Sequence, residues 1–223
     1  MVVLVHYRNG QVLCLPPAGA GLWRDAAATG RLDRIPPGLA TRLLTAGLLT
    51  PTTSPTPWSA PLIAKSATAS WGSAEHPAGA ARPAATRTST AAAAAAALAV
   101  VLATTRLGSR SAAMYRITTM IRSALSICRR PATPEQAEAA VLAVRRVGWY
   151  SPARTACLEE SAASVLLLAS RRLSATWCHG VAPDPIRLHA WVQTGDGAPV
   201  AEPPSTLAYT PTLTIGGRHQ HLP

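Results

Sequence analysis

Within Arg154-Thr155-Ala156-Cys157-Leu158-Glu159-Glu160-Ser161 a cysteine stands where a polar turn gives way to an aliphatic run. Leu158, Ala162, Val165, Leu166, Ala169 and Leu173 then recur at the spacing of one buried helical face, and Arg171-Arg172 suit the negative end of the helix dipole. Cys157 therefore falls in a first helical turn. Unpaired backbone N–H groups there favour a thiolate, the reactive form of cysteine, whereas a helical cysteine with no further machinery is a small buried hydrophobe. The difference is a base within reach. His189 is a candidate, because Ile186-Arg187-Leu188-His189-Ala190-Trp191-Val192-Gln193 alternates as a half-buried strand, with the imidazole on the face of Trp191 and opposite the aliphatic residues. A carboxylate must then orient that imidazole, and the choices are Glu202 first and Asp196 second.

The stretch from Cys157 to Pro203 resembles the B-protein leader peptidases of lasso-peptide biosynthesis, a branch of the transglutaminase-like cysteine proteases. The likeness rests on Cys157-Leu158 opening a long helix, on the basic end Arg171-Arg172, on Gly180-Val181 and on His189-Ala190-Trp191-Val192. It implies a papain-like fold, a Cys157–His189–acid site, and cleavage of a leader peptide from a ribosomally made precursor. It also implies an ATP-dependent macrolactam cyclase as partner, no cofactor or metal, and no nucleotide bound to this chain. One departure stands out. The family carries an aspartate after the strand that follows His-Ala-Trp-Val, where this chain reads Gly197-Ala198-Pro199-Val200-Ala201-Glu202-Pro203, so that Glu202 takes the place of the acid.

These residues must be positioned by a scaffold, and the sequence outlines one. Helices are expected through the alanine-rich stretch to Leu107, from Met114 to Cys128, and after Pro134 with Thr133 as cap. Gly195 to Gly197 supply a turn before a short strand, Ala198 to Val200. Upstream, Asn9-Gly10 between two β-rich runs predicts a hairpin with a two-residue type I′ turn. Helix-prone stretches follow from Ala20 to Ala28 and from Pro36-Pro37 to Gly47. This opening resembles the small winged-helix-like domain that recognises precursor peptides, which implies capture of the leader as an added strand at the hairpin edge. Six prolines among Ser, Thr, Ala and Gly fill residues 51 to 87, a composition unable to bury a core. The expectation is thus an α+β chain: a leader-recognition module over 1–50, a flexible linker over 51–88 and a transglutaminase-like peptidase over 89–223.

Composition sets bounds on this reading. The net charge is +11 and every cation except Lys65 is arginine, which suits a polyanionic or acidic partner without choosing one. A winged-helix DNA binder leaves the C-terminal half unexplained, and Thr41 to Ala46 offers only Arg42 for phosphate or base contact, so no nucleic acid is expected. Zinc is not expected either, since the only close ligand pair, Cys178-His179, points to opposite faces of a strand. The terminal Gly-Arg-His-Gln-His-Leu-Pro reads as an exposed tail. Four dispersed cysteines, with no basic, apolar export signal, imply a reducing cytoplasm. Ala91 to Ala103 is shorter than a bilayer demands and rich in alanine, so it is expected to be a soluble helix and no membrane partner is assigned. Two further readings stay open: a leader-binding adapter without catalysis, and the DNA binder.

Overall fold

The computed structural model describes residues 1–54, 57–58, 88–183 and 185–216. Its contacts divide the chain into two compact units, Met1–Ile63 and Ala64–Pro223. Most of the expected linker over 51–88, and the whole tail from Gly217 to Pro223, lie outside the described residues.

In the first unit, strands β1 (Val2–His6) and β2 (Gln11–Leu15) form an antiparallel hairpin with Val2 opposite Leu15 and His6 opposite Gln11. Its turn differs from the two-residue form that Asn9-Gly10 suggests. Four residues, Tyr7 to Gly10, make the connection, and Gly10 alone takes a positive φ, 71°. Asn9 is held by polar contacts on both sides: its N–H donates to His6 Nδ1 at 3.2 Å and its Oδ1 accepts from the Gln11 N–H at 3.0 Å. The left-handed step then falls on the residue without a Cβ. Helices α1 (Pro17–Thr29) and α2 (Pro37–Thr45) each begin with a proline that fits the first turn. Trp23 of α1, Ile35 of the connection between the helices and Leu43 of α2 are buried in one cluster with Leu4 and Leu15 of the hairpin. Trp58 adds to this unit: its ring lies 6.4 Å from Trp23, and its N–H donates to the Ala27 carbonyl at 2.8 Å.

The second unit opens with four helices, α3 (Thr88–Arg106), α4 (Ala113–Ser126), α5 (Pro134–Trp149) and α6 (Cys157–Ser170). The last is the hub, with α3, α4 and α5 packed around it. Its run of Ala, Val and Leu is apolar on nearly all sides, the pattern of a helix enclosed by neighbours. Alanines at 137, 140 and 143 of α5 and at 162 and 163 of α6 are fully or almost fully buried and allow close approach. Thr133 and Gln136 close a reciprocal cap at the start of α5, as the sequence suggests for Thr133. By length and composition α3 would suffice to cross a membrane. In this fold Ala94, Leu98 and Val101, spaced i, i+4 and i+7, are buried in the helical core.

Two-residue strands β3 (Arg130–Pro131) and β4 (Leu173–Ser174) pair in parallel and tie the end of α4 to the end of α6. A three-stranded antiparallel sheet follows, with β5 (Thr176–Pro183) between β6 (Ile186–Gln193) and β7 (Thr210–Ile215). Trp177 is opposite Val192 and His179 opposite Ala190, and the Trp177 indole N–H reaches back to Ser161 Oγ of α6 at 2.9 Å, joining sheet to hub helix. The strand expected over Ala198 to Val200 reduces to one bridge between Gln193 and Pro199. β7, by contrast, was not signalled, because Pro211 interrupts it; an edge strand tolerates a residue without an N–H.

Candidate active site

Cys157 is the first residue of α6, half-buried, and the residue before it is the key to its surroundings. Ala156, at φ −131° and ψ 179°, occupies the cap position but has no oxygen to offer the first-turn N–H groups. Only half of a capping box exists there: the Glu159 carboxylate turns back to accept the Ala156 N–H at 3.1 Å. That contact draws Glu159 toward the cap. Glu160 is occupied too, taking a hydrogen bond from Thr155 Oγ1 at 3.0 Å and lying 3.7 Å from Arg145 Nε. Burial nevertheless pushes its pKa above the usual carboxylate range, outweighing Thr155 and Arg145.

His189 projects from β6 with its Nε2 2.8 Å from Glu202 Oε2. The Cys157 side chain also acts on this imidazole, favouring its protonated form. Burial works against its protonation, yet the hydrogen bonds and charges of Cys157 and Glu202 raise its pKa to about 9. Aromatic rings fix the imidazole. Trp191 stacks 5.8 Å away at 14°, and Tyr209 lies at 5.1 Å. Gly180, cross-strand from His189, makes room for this wall: a Cβ there would sit 2.6 Å from the Thr210 carbonyl and 2.8 Å from the Trp191 ring. Among the described residues, the buried Trp191 indole N–H has no hydrogen-bond partner.

Glu202 lies in the loop between β6 and β7 and is only 4% exposed. Burial alone would raise its pKa. The bond to His189, the Arg145 guanidinium, the imidazolium charge and the Thr206 hydroxyl together hold it below the ordinary value instead. Thr206 Oγ1 donates to Oε2 at 3.1 Å, and Arg145 Nη2 pairs with Oε1. Cys157, Arg145, Glu160 and Glu202 line one shared cavity. Cys157, His189 and Glu202 are thus brought together from a helix, a strand and a loop.

Asp196, the second choice for the acid, is elsewhere. It accepts from Thr194 Oγ1 and from the Ala198 N–H at 3.2 Å, bonds that hold its pKa down and spend its carboxylate on its own turn. Cys178 is buried, with its thiol pushed up to about 12 by burial and its Sγ 3.2 Å from Gln193 Oε1. No group of three or more potential metal ligands occurs among the described residues. Sequence reasoning did not find Arg145, Thr206 or Tyr209. A signal existed for Arg145 alone: it follows Val141 by four residues on the buried stripe of α5, where a charge requires a partner.

A thiol at a helix start, with an imidazole on an adjoining antiparallel sheet and a carboxylate behind it, is an arrangement able to support nucleophilic chemistry at sulfur. Residues 99–214 match the family model described as the transglutaminase-like superfamily, which covers over half of the sequence and takes in all three side chains. The chain belongs to that superfamily, whose members include cysteine peptidases and transglutaminases. No curated protein and no solved structure matches it.

Proposed function

We propose that this protein is a leader peptidase of lasso-peptide biosynthesis, which binds a ribosomally made precursor and cuts off its leader before macrolactam closure. The observation that carries the reading is the continuous link from Cys157 through His189 to Glu202 at the start of α6. In the proposed reaction, the Cys157 sulfur attacks the carbonyl carbon at the leader–core junction, with its proton held on His189. Backbone N–H groups of the first turn, left without a side-chain cap by Ala156, stabilise the oxyanion. Breakdown of the tetrahedral species breaks the C–N bond, His189 protonates the departing core amine, and a thioester to the leader remains. Water, deprotonated by His189, then cleaves the thioester, releasing a leader with a free carboxylate and restoring the thiol. An amine in place of water would make the same site a transglutaminase.

The core leaves with the free amine that an ATP-dependent cyclase needs, and the cyclase is the proposed partner in a complex. Peptide hydrolysis itself needs no nucleotide, cofactor or metal, and a reducing cytoplasm is the proposed compartment. In the first unit, the open edge of the β1–β2 hairpin is the proposed leader-docking strand. Mass spectrometry of the precursor after incubation with wild-type protein and with Cys157→Ala, cyclase present and absent, tests the proposal. Wild type should yield free leader and core, and Cys157→Ala should lose cleavage while retaining leader binding. Equal processing by both proteins would exclude the peptidase.

A further inference from the structure

Arg145 projects from α5 toward two consecutive residues of the loop between β6 and β7. Its Nη2 pairs with Glu202 Oε1, and its Nη1 donates to the Ala201 carbonyl. Ala201 is in the left-handed region at φ 52°, a conformation that a residue with a Cβ adopts at a cost of roughly 1–2 kcal/mol. The guanidinium therefore grips the strained residue and the acid that follows it. Glu202 Oε2 is shared by His189 and Thr206, while Arg145 is the partner that fixes Oε1. Glutamate has one more rotatable bond than the aspartate it replaces in the resemblance described above, so a loosely held side chain would swing off the imidazole. A bidentate, charge-assisted clamp removes that freedom.

We propose that Arg145 is a positioning residue that sets His189 through Glu202, its two amino groups holding the Ala201–Glu202 turn so that a glutamate fits where the imidazole needs a carboxylate. This rests on the Cys157–His189–Glu202 site and not on the substrate. A mere charge effect would have the opposite sign. Arg145 is a cation competing for the carboxylate, so losing its charge alone would make the imidazolium easier to form. Losing the clamp lets Glu202 drift, which makes the imidazolium harder to form. The groups involved are Glu202 and Cys157 against His189, Arg145 and Glu160 near Glu202, and the buried His179, whose pKa His189 also influences.

The test is an NMR titration of the full-length protein with isotope-labelled histidine, with His189 assigned by its loss in His189→Gln. Wild type should titrate near 9. Arg145→Gln should lower the midpoint by about one pH unit or more, as should Glu202→Gln. The double variant should fall no further than Glu202→Gln alone, since the two residues act in series. Peptide-resolved alkylation of Cys157 by iodoacetamide at pH 6 should slow in the same order. A midpoint in Arg145→Gln that stays or rises, or a double variant that adds the two effects, overturns the proposal. Should Arg145→Gln fail to fold, Arg145→Lys keeps the charge without the fork, and a wild-type midpoint in that variant is equally fatal. These readouts use no peptide: variants that show the shifts, beside a wild-type protein that cleaves no precursor, refute the peptidase reading alone.

Discussion

The buried His179 and the half-buried His189, on neighbouring strands, are driven in opposite directions. Burial, with the charge of His189, holds His179 down at about 4, whereas Glu202 and Cys157 overcome burial and carry His189 up to about 9. Linkage turns this into a pH profile of stability. Between 4 and the reference value near 6.5, the unfolded chain protonates His179 and the folded one does not, so stability falls as the solution is acidified. Above 6.5 the unfolded chain releases the His189 proton that the folded one retains, so stabilisation present at lower pH is lost as pH approaches 9. Glu202, with its pKa depressed, reinforces the acid-side loss once pH falls through the carboxylate range. Urea unfolding across pH 4.5–9.5 should therefore show maximal stability near 6.5, with each histidine responsible for at most about 3 kcal/mol. His189→Gln should flatten the alkaline limb and His179→Leu the acid one. An alkaline slope undiminished in His189→Gln would contradict the assignment.

Helix α6 trades some of its own stability for an open end. An oxygen at the cap position usually satisfies one first-turn N–H and adds ~0.5–2 kcal/mol, but position 156 carries an exposed alanine. Ala156→Ser restores the missing acceptor at a backbone geometry that suits it. It should raise the melting temperature by a few degrees while slowing single-turnover cleavage by about tenfold, because the new hydroxyl competes with the oxyanion. A stabilised variant with an unchanged rate would show that these N–H groups take no part in the reaction. The start of α6 was legible because Cys157 is followed at once by a helical apolar stripe, and β6 because its alternation is strict. The Asn9-Gly10 turn was misread since local side-chain bonds override the dipeptide preference. β7 and the route to Glu202 were hidden for a different reason. A proline-bearing edge strand and a loop turned by a left-handed alanine leave no periodic trace, and the partner that holds them lies more than fifty residues upstream.

Each of the two compact units has its own buried cluster, around Trp23 and Leu43 in the first and around α6 in the second. The proposed division of labour gives leader binding to the first and bond cleavage to the second, which makes the covalent connection itself a contributor to rate. A leader held by Met1–Ile63 sees the Cys157 site at an effective concentration set by the intervening chain, up to the millimolar range for short links. A recognition sequence for a specific protease inserted between residues 63 and 88 allows that connection to be cut after folding. Cleaved and intact protein should then share the same rate at saturating precursor, while at micromolar precursor the cleaved form should be slower by at least about tenfold. The advantage should also vanish for a substrate that lacks its leader, since nothing then recruits it to the first unit. A cut chain that processes dilute precursor as fast as the intact one would mean that the second unit recognises the leader by itself, and the hairpin edge would lose its proposed role.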